Sequence, residues 1–295
     1  MMTDKIKLGF IGAGALATTL SVAFEQNGFH ITAVSSRRFE SAKNLAERLD
    51  QCRAVVDNQE VADSADLVFI ATPDDVIPSV ASQVIWRKGQ MVVHCSGADP
   101  VDILNPAKKA GSQTGVFHPL QTFAAGLDEN LKGITFAVEA EEPLLTQLKE
   151  MAQILGGNWI QLKSKDRAIY HAAAVFACNY LVTLADIAAN LWESIEVPRD
   201  KAVLALLPLM RGTINNIESI GVTNSLTGPI ARGDSGTVKK HLAALDNIDP
   251  DITKLYRELG LNTIPIAIGK GKLDKSQAED IERILKQPIL QPECE

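Results

Sequence analysis

Cysteine is scarce. The 295-residue chain holds Cys52, Cys95, Cys178 and Cys294, and no two form a C-x-x-C pair. That spacing suits neither a zinc site nor a disulfide framework, and Cys95 and Cys178 are expected to be buried free thiols. There is no H-E-x-x-H, no metal-spaced cluster and no G-x-S-x-G, so no metal is expected and no hydrolase signature is present. Basic charge is also short. With 29 Lys and Arg against 36 Asp and Glu, the net charge is −7, which speaks against the basic face that nucleic acid requires. No apolar run is long and uninterrupted enough to span a bilayer. The start, MMTDKIKLGF, has no apolar segment of the signal-peptide kind. A cytoplasmic protein with a small-molecule partner, and neither a nucleic-acid nor a membrane partner, is the expectation.

The first half alternates strand and helix. Residues 5–12, 29–35, 65–72, 89–97, 115–119, 134–139 and 158–162 read as strands; 65–72 (ADLVFIAT) is a near-continuous apolar run of the kind buried on both faces of a parallel sheet. Helical patterns fall at 13–28, 39–50 and 142–155. The fold class expected is α/β, a doubly wound Rossmann-type parallel sheet. After residue 163 the strand signal stops. Residues 165–195 read as one helix roughly 40 Å long, and further helices are expected at 199–220, 235–246, 250–268 and 275–287. The last opens with a capping-box pattern at Asp274 and Gln277. Two domains follow: 1–163, nucleotide-binding, and 164–295, all-helical. The tail QPILQPECE reads as disordered and without a role.

Between the first strand and the first helix lies Gly12-Ala13-Gly14-Ala15-Leu16-Ala17, a G-x-G-x-x-A turn. Gly12 permits the sharp turn, Gly14 lets backbone approach a pyrophosphate, and Ala17 lets helix and strand pack closely. The second strand ends about 20 residues later, where an acid would hold the ribose of NAD. This chain has Ser35, Ser36, Arg37 and Arg38 there. Hydroxyls and guanidinium forks suit a 2′-phosphate, so the expected cofactor is NADP(H). Ala71, Thr72 and Pro73 follow a strand end and are expected to line the cofactor, whereas Asp74 and Asp75 read as helix N-caps.

Four clusters are candidates for chemistry. Ser96 and Gly97, in HCSGAD, are placed at the nicotinamide side of the crevice. His118, Gln121 and Thr122, in VFHPLQTF, sit in a loop after a strand, a usual address for function. Arg232, in LTGPIARGDSGT, is the group for a substrate carboxylate or phosphate, and Asp234 beside it reads as a helix cap. His171 and Asn179 lie on the long helix, roughly 80° apart around it. His30, His94 and His241 are expected to be structural.

Taken in order, the glycine turn, ATPDDV, HCSG, FHPLQTF, YHAAAVFACNY and LTGPIARGD resemble a family of Rossmann-like proteins with a helical C-terminal domain of unknown function (DUF2520 type). The likeness covers nearly the whole chain. The resemblance implies kinship with pyrroline-5-carboxylate reductases, 3-hydroxyacid dehydrogenases and ketopantoate reductases, and a C-terminal domain like that of 6-phosphogluconate dehydrogenase. It implies an NADPH-dependent reductase of a small carboxylate-bearing carbonyl such as ketopantoate, a place in pantothenate synthesis, and a homodimer formed through the helical domain. An imine or pyrroline-carboxylate reductase and a non-catalytic NADP-binding sensor are the alternatives. The hydroxyacid and ketopantoate enzymes carry a catalytic lysine on the first helix of the second domain, with an asparagine one turn on. If His171 takes that lysine's place, the asparagine position is Val175, and Asn179 matches a second asparagine of the ketopantoate enzymes. The proton donor is then His171, His118 or a bound water; Asn179 and Thr122 orient the carbonyl oxygen.

Overall fold

Alternation along the strands builds two cores, one on each face of a sheet. In the run Leu67–Ile70, Leu67 and Phe69 pack into one cluster, and Val68 and Ile70 into the other. No face of this strand is left for water, as a central parallel strand requires. The computed structural model describes residues 6–124 and 131–287; the tail from 288 on lies outside the described residues.

The chain runs β1 (Lys7–Ile11), α1 (Ala15–Gln26), β2 (His30–Ser35), α2 (Phe39–Ala46), β3 (Arg53–Val55), α3 (Asn58–Ser64), β4 (Leu67–Ile70), α4 (Ile77–Gln83), β5 (Met91–His94), α5 (Asn105–Lys109) and β6 (Gln113–Leu120). It continues with β7 (Thr135–Ala140), α6 (Leu144–Ile154), β8 (Asn158–Gln161), α7 (Arg167–Ala177), α8 (Asn179–Glu193), α9 (Arg199–Ser225), α10 (Ser235–Asp246), α11 (Pro250–Gly269) and α12 (Lys275–Lys286). The sheet order is β3-β2-β1-β4-β5-β6-β7-β8. Every pairing is parallel except β6 with β7. The order reverses between β1 and β4, and such a switch point opens a crevice at the carboxyl ends of the strands. Phe10, Phe69, Phe117 and Phe136 bridge four strands beneath it, with ring centroids 4.9 Å apart for the first pair and 4.7 Å for the last.

The seven strands and three helices expected in the first half are all present. β3, α3 and α5 were not anticipated, and of α4 only a start near Asp74 and Asp75 was. Each is short, and β3 is a three-residue edge strand with Arg53 exposed, too brief for a periodic signal.

By backbone proximity the chain divides into two units, Met1–Asn179 and Tyr180–Glu295. α7 therefore goes with the sheet, although the change of pattern comes at residue 163. The reason is Arg167, which is fully buried and donates from Nε to Glu139 Oε2 on β7 at 2.6 Å. Ser164 also donates to Glu139.

The single helix expected over 165–195 is two. Cys178, with φ −115° and ψ −69°, ends α7, and α8 begins at Asn179. The angular relation of His171 to Asn179 on one helix therefore does not hold. The segment Ser164–Glu193 corrects a second expectation, since by length and composition it is apolar enough to cross a membrane, with 6% of its most apolar window buried. The break leaves helices of 11 and 15 residues, each shorter than the roughly 20 residues that one straight span needs.

In the second unit, α10, α11 and α12 enclose a core of Val238, Leu242, Ile264, Ile281 and Leu285. Asp234 caps α10 by accepting from Thr237 N, and Asp274 and Gln277 form the expected capping box on α12. α9 turns out of helical geometry at Gly221, φ 78°, next to the stop expected at 220.

Candidate active site

The carboxyl ends of β1, β2 and β4 enclose a groove of about 500 Å3, lined by Gly12, Ala13, Gly14, Ser36, Arg37, Arg38, Ala71, Thr72 and Pro73, together with Phe39, Ser41, Asn58 and Gln83 among others. Most of the cofactor residues read from the sequence thus meet in one place. At Gly12, φ is 114°, and a Cβ would stand 2.4 Å from the Ala71 carbonyl oxygen. Only glycine fits this crossing of β1 and β4. At Gly14 a Cβ would meet nothing within 4 Å, so this face of the turn is open.

The N-terminus of α1 is poised for an anion. Gly14 provides no side-chain cap, and the first turn holds no acid. The opening amides of Ala15, Leu16 and Ala17 keep donors that a phosphate can take. Ala17 itself is fully buried, as close helix–strand packing requires. The Thr72 hydroxyl lines the groove, is buried, and has no protein partner, a further donor that a bound ligand would satisfy. These features fit a dinucleotide, with Arg37 and Arg38 at the ribose end.

Ser35 departs from its expected role. It is the last residue of β2, fully buried; its hydroxyl donates to Asn58 Oδ1 at 2.7 Å, and its carbonyl accepts from Gly12 N at 2.9 Å. It braces the glycine turn from behind. Asn58, absent from the sequence reading, lines the groove in its stead.

Ser96 is likewise engaged by the protein. It is 3% exposed. Its hydroxyl lies 2.8 Å from Asp74 Oδ2 and 3.0 Å from Asp99 Oδ2, and accepts from Asp99 N at 3.1 Å. Neither cofactor nor substrate is needed to satisfy it. Asp74 is correspondingly not an N-cap: Pro73 holds that position of the short 3-10 turn Asp74–Val76, without a side-chain bond. The Asp74–Ser96 bond ties the groove's β4 lip to the end of β5.

Gly97 lies against two histidines. A Cβ there would stand 2.7 Å from His171 Nδ1 and 2.8 Å from His118 Nε2. His118 comes from the end of β6 and His171 from α7; their ring centroids are 6.2 Å apart and the rings cross at 79°. His118 Nδ1 is 2.8 Å from the Tyr170 hydroxyl. His171 Nδ1 is buried without a partner, as is Arg167 Nη2. Arg167 Nη1 points at the carbonyls of Ser96 and Gly97, 3.4 Å from each.

Burial and the arginine disfavour the cationic form of two histidines here. Burial, then His171 and Arg167, push His118 down to about 4. Burial, then Arg167, push His94 down to about 3. His94 accepts from Ser96 N at Nδ1 and meets Pro100 O at Nε2, a structural role as expected. Burial raises Tyr170 to about 12 against the opposing effect of Arg167. Burial also raises Cys95, an inert buried thiol, whereas Cys178 is only half-buried.

The remaining expected site residues are all exposed. Gln121 and Thr122 follow β6 and are exposed; Gln121 Oε1 accepts from Thr122 N at 2.8 Å. Asn179 opens α8 past the break and is exposed. Arg232 ends a short 3-10 turn of the second unit, Ile230–Arg232, and is exposed. Sequence reasoning missed Arg167, Tyr170 and Glu139. The R-x-x-Y-H spacing, which sets Arg167 and His171 on one helix face at i and i+4, is the signal that could have found the first two. Among the described residues no three His, Cys, Asp or Glu side chains are grouped to hold a metal ion.

Comparison with known proteins finds two family matches along the chain. Residues 1–119 match the family described as a Rossmann-like domain. Residues 134–263 match the domain of unknown function DUF2520. A crystal structure of a candidate NADP oxidoreductase from Bacteroides fragilis is 30% identical, with a TM-score of 0.75 over 89% of this chain and 99% of that one. A protein from Thermotoga maritima is 28% identical, with a TM-score of 0.73 over 90% of this chain and 99% of the other. A 2-(hydroxymethyl)glutarate dehydrogenase of Eubacterium barkeri is 24% identical over 162 residues, 52% of each chain. The chain spans about half the length of the curated relatives it matches. A relative this similar over nearly its full length, with the two family matches lying side by side, places the chain in the Rossmann-like family that carries a DUF2520 domain.

Proposed function

We propose that the protein is an NADPH-dependent oxidoreductase that reduces a small carboxylate-bearing carbonyl compound. The observation that carries this is the groove at the ends of β1, β2 and β4, where an uncapped glycine turn meets Arg37 and Arg38 and no acid stands at the ribose end. When bound, NADPH supplies a hydride. The Gly12–Ala17 turn holds the diphosphate; Ser36, Arg37 and Arg38 hold the 2′-phosphate. The histidine pair stands at the ends of β5 and β6, and β5 is the neighbour of β4 in the sheet. The two imidazoles, which meet at Gly97, are the groups we assign to a carbonyl oxygen.

A dehydrogenase among the relatives is named for a small hydroxy acid, which supports the substrate class. Ketopantoate is the 2-oxo acid we put first. A homodimer is part of the same reading. It is supported by the apolar surface of α8 and α9, where Val182, Leu204 and Leu209 are each 68% exposed.

Parallel titration with NADPH and NADH tests the cofactor. NADPH is expected to bind at least tenfold more tightly, and Arg37→Ala with Arg38→Ala to remove that preference, since a charge-assisted bond is worth about 1.5–3 kcal/mol. Equal affinity for the two nucleotides in the wild type would defeat the assignment. Oxidation of NADPH in the presence of ketopantoate and other 2-oxo acids tests the substrate class.

Reduction of an imine is the second reading, and one observation favours it. His118, held at about 4, is not a cationic acid at neutral pH, and an iminium already carries the charge that an acid would lend. Turnover of pyrroline carboxylate with none of 2-oxo acids would decide for it.

A further inference from the structure

The histidine cluster contains more than a pair of rings. The Tyr170 hydroxyl is 2.8 Å from His118 Nδ1, with the rings perpendicular at 89°. A phenol is a far stronger acid than a neutral imidazole N–H, and an imidazole nitrogen a far stronger base than a phenol oxygen. The shared proton therefore resides on Tyr170, and His118 Nδ1 accepts it as a hydrogen bond. The ring's own proton is then on Nε2, the atom that faces Gly97.

We propose that Tyr170 and His118 form a proton relay, in which Tyr170 holds His118 as its Nε2–H tautomer and that N–H protonates the substrate oxygen. The proposal rests on the oxidoreductase reading above and supplies what it lacks. A histidine with a value of about 4 is protonated in only about one molecule in a thousand at pH 7, so His118 does not serve as an imidazolium acid. The relay needs no imidazolium. As hydride from NADPH reaches the carbonyl carbon, the C=O π pair moves to oxygen. That oxygen takes the Nε2 proton, and the N–H pair stays on the ring. Nδ1 takes the proton of Tyr170, so the imidazole stays neutral and ends as the opposite tautomer. The negative charge finishes on the Tyr170 oxygen, where a solvent proton discharges it, Tyr170 being only half-buried.

The energetics run in this direction. Tyr170 sits at about 12, while an alcohol is about as weak an acid as water, near 15.7, so the proton moves downhill from tyrosine to product. The charged and titratable groups around the relay are Arg167, His171 and His94, with Glu139 beyond them pairing with Arg167. Arg167 favours the phenolate. His171 stands beside the relay with its buried Nδ1 unpartnered. Because an iminium gives a neutral amine on hydride addition, it needs no such relay; the device belongs to carbonyl chemistry.

Long-range 1H–15N NMR of the full-length, histidine-labelled protein tests the geometry without any substrate, with His118→Gln giving the assignment. The expected result is one Nε2–H tautomer for His118 that does not ionise between pH 5 and 8, and a tautomer mixture in Tyr170→Phe. An Nδ1–H tautomer, or titration near 6.5 in the wild type, overturns the proposal even if the enzyme is active. Kinetics with the best 2-oxo acid form the second arm. Tyr170→Phe keeps the ring, and its melting temperature confirms folding. Its kcat is expected to fall by about 100-fold or more with KM changed less than threefold, and the wild type's solvent deuterium isotope effect to be lost. An unchanged kcat overturns the relay. A wild type with the expected tautomer that turns over neither carbonyls nor imines instead defeats the oxidoreductase reading, and takes the relay's use with it.

Discussion

At Gly97 a methyl group would stand within 3 Å of a nitrogen on each of two imidazoles. Its backbone is not left-handed, so Gly97→Ala carries no strain of its own and the cost falls on the rings. We expect kcat/KM to drop by about 100-fold, the usual consequence of a misplacement near 1 Å at a reacting centre. NADPH affinity, read by titration, should stay within a factor of three. The buried histidines give a pH signature. His94 and His118 are neutral when folded, at about 3 and about 4, and protonated below about 6.5 when unfolded. Between those values the unfolded chain binds more protons, so stability is fully present above pH 6.5 and is lost as pH falls. The expected slope is about 1.4 kcal/mol per unit for each histidine. Urea unfolding at pH 7, 6 and 5 measures it, and a flat profile would contradict neutral burial. At this scale the sequence was legible where backbone did the work, at Gly12, Gly14 and Ala71–Pro73, and the groove these line also takes in Arg37 and Arg38. Ser35, Ser96 and Asp74 were misread because their roles depend on partners 22 or 23 residues away, set by register and not by local pattern.

At the scale of elements, α7 is fixed to the sheet by one buried arginine. Breaking a buried ion pair from one side strands its partner, so Arg167→Ala is expected to cost about 3–5 kcal/mol, measured by denaturant. Arg167→Met with Glu139→Gln should recover part of that loss, since no buried charge is left alone. A loss below 1 kcal/mol for Arg167→Ala would contradict this account of α7. The break at Cys178 was illegible for a plain reason. Alanine, leucine and isoleucine run through it without a glycine or proline, and local propensity favours helix on both sides. The central strands β4 and β5 were legible because both their faces are apolar, and β3 was not, because three residues carry no period.

At the scale of the whole molecule, the exposed apolar surface of α8 and α9 is more than a solitary chain should present to water. Sedimentation is expected to report a dimer, and Leu204→Asp with Leu209→Asp to give a folded monomer; a monomeric wild type would sink the dimer. The strand β6 carries a different consequence. Phe117 belongs to the aromatic core and His118 to the reacting cluster, adjacent residues on opposite faces, with His118 paired to Ala137. A slip of one residue would push an imidazole into the phenylalanine stack and leave a phenyl ring where a proton donor belongs. If His118 acts as proposed, a misfolded β6 is also inactive, and catalytic activity in a preparation would double as a count of correctly threaded molecules.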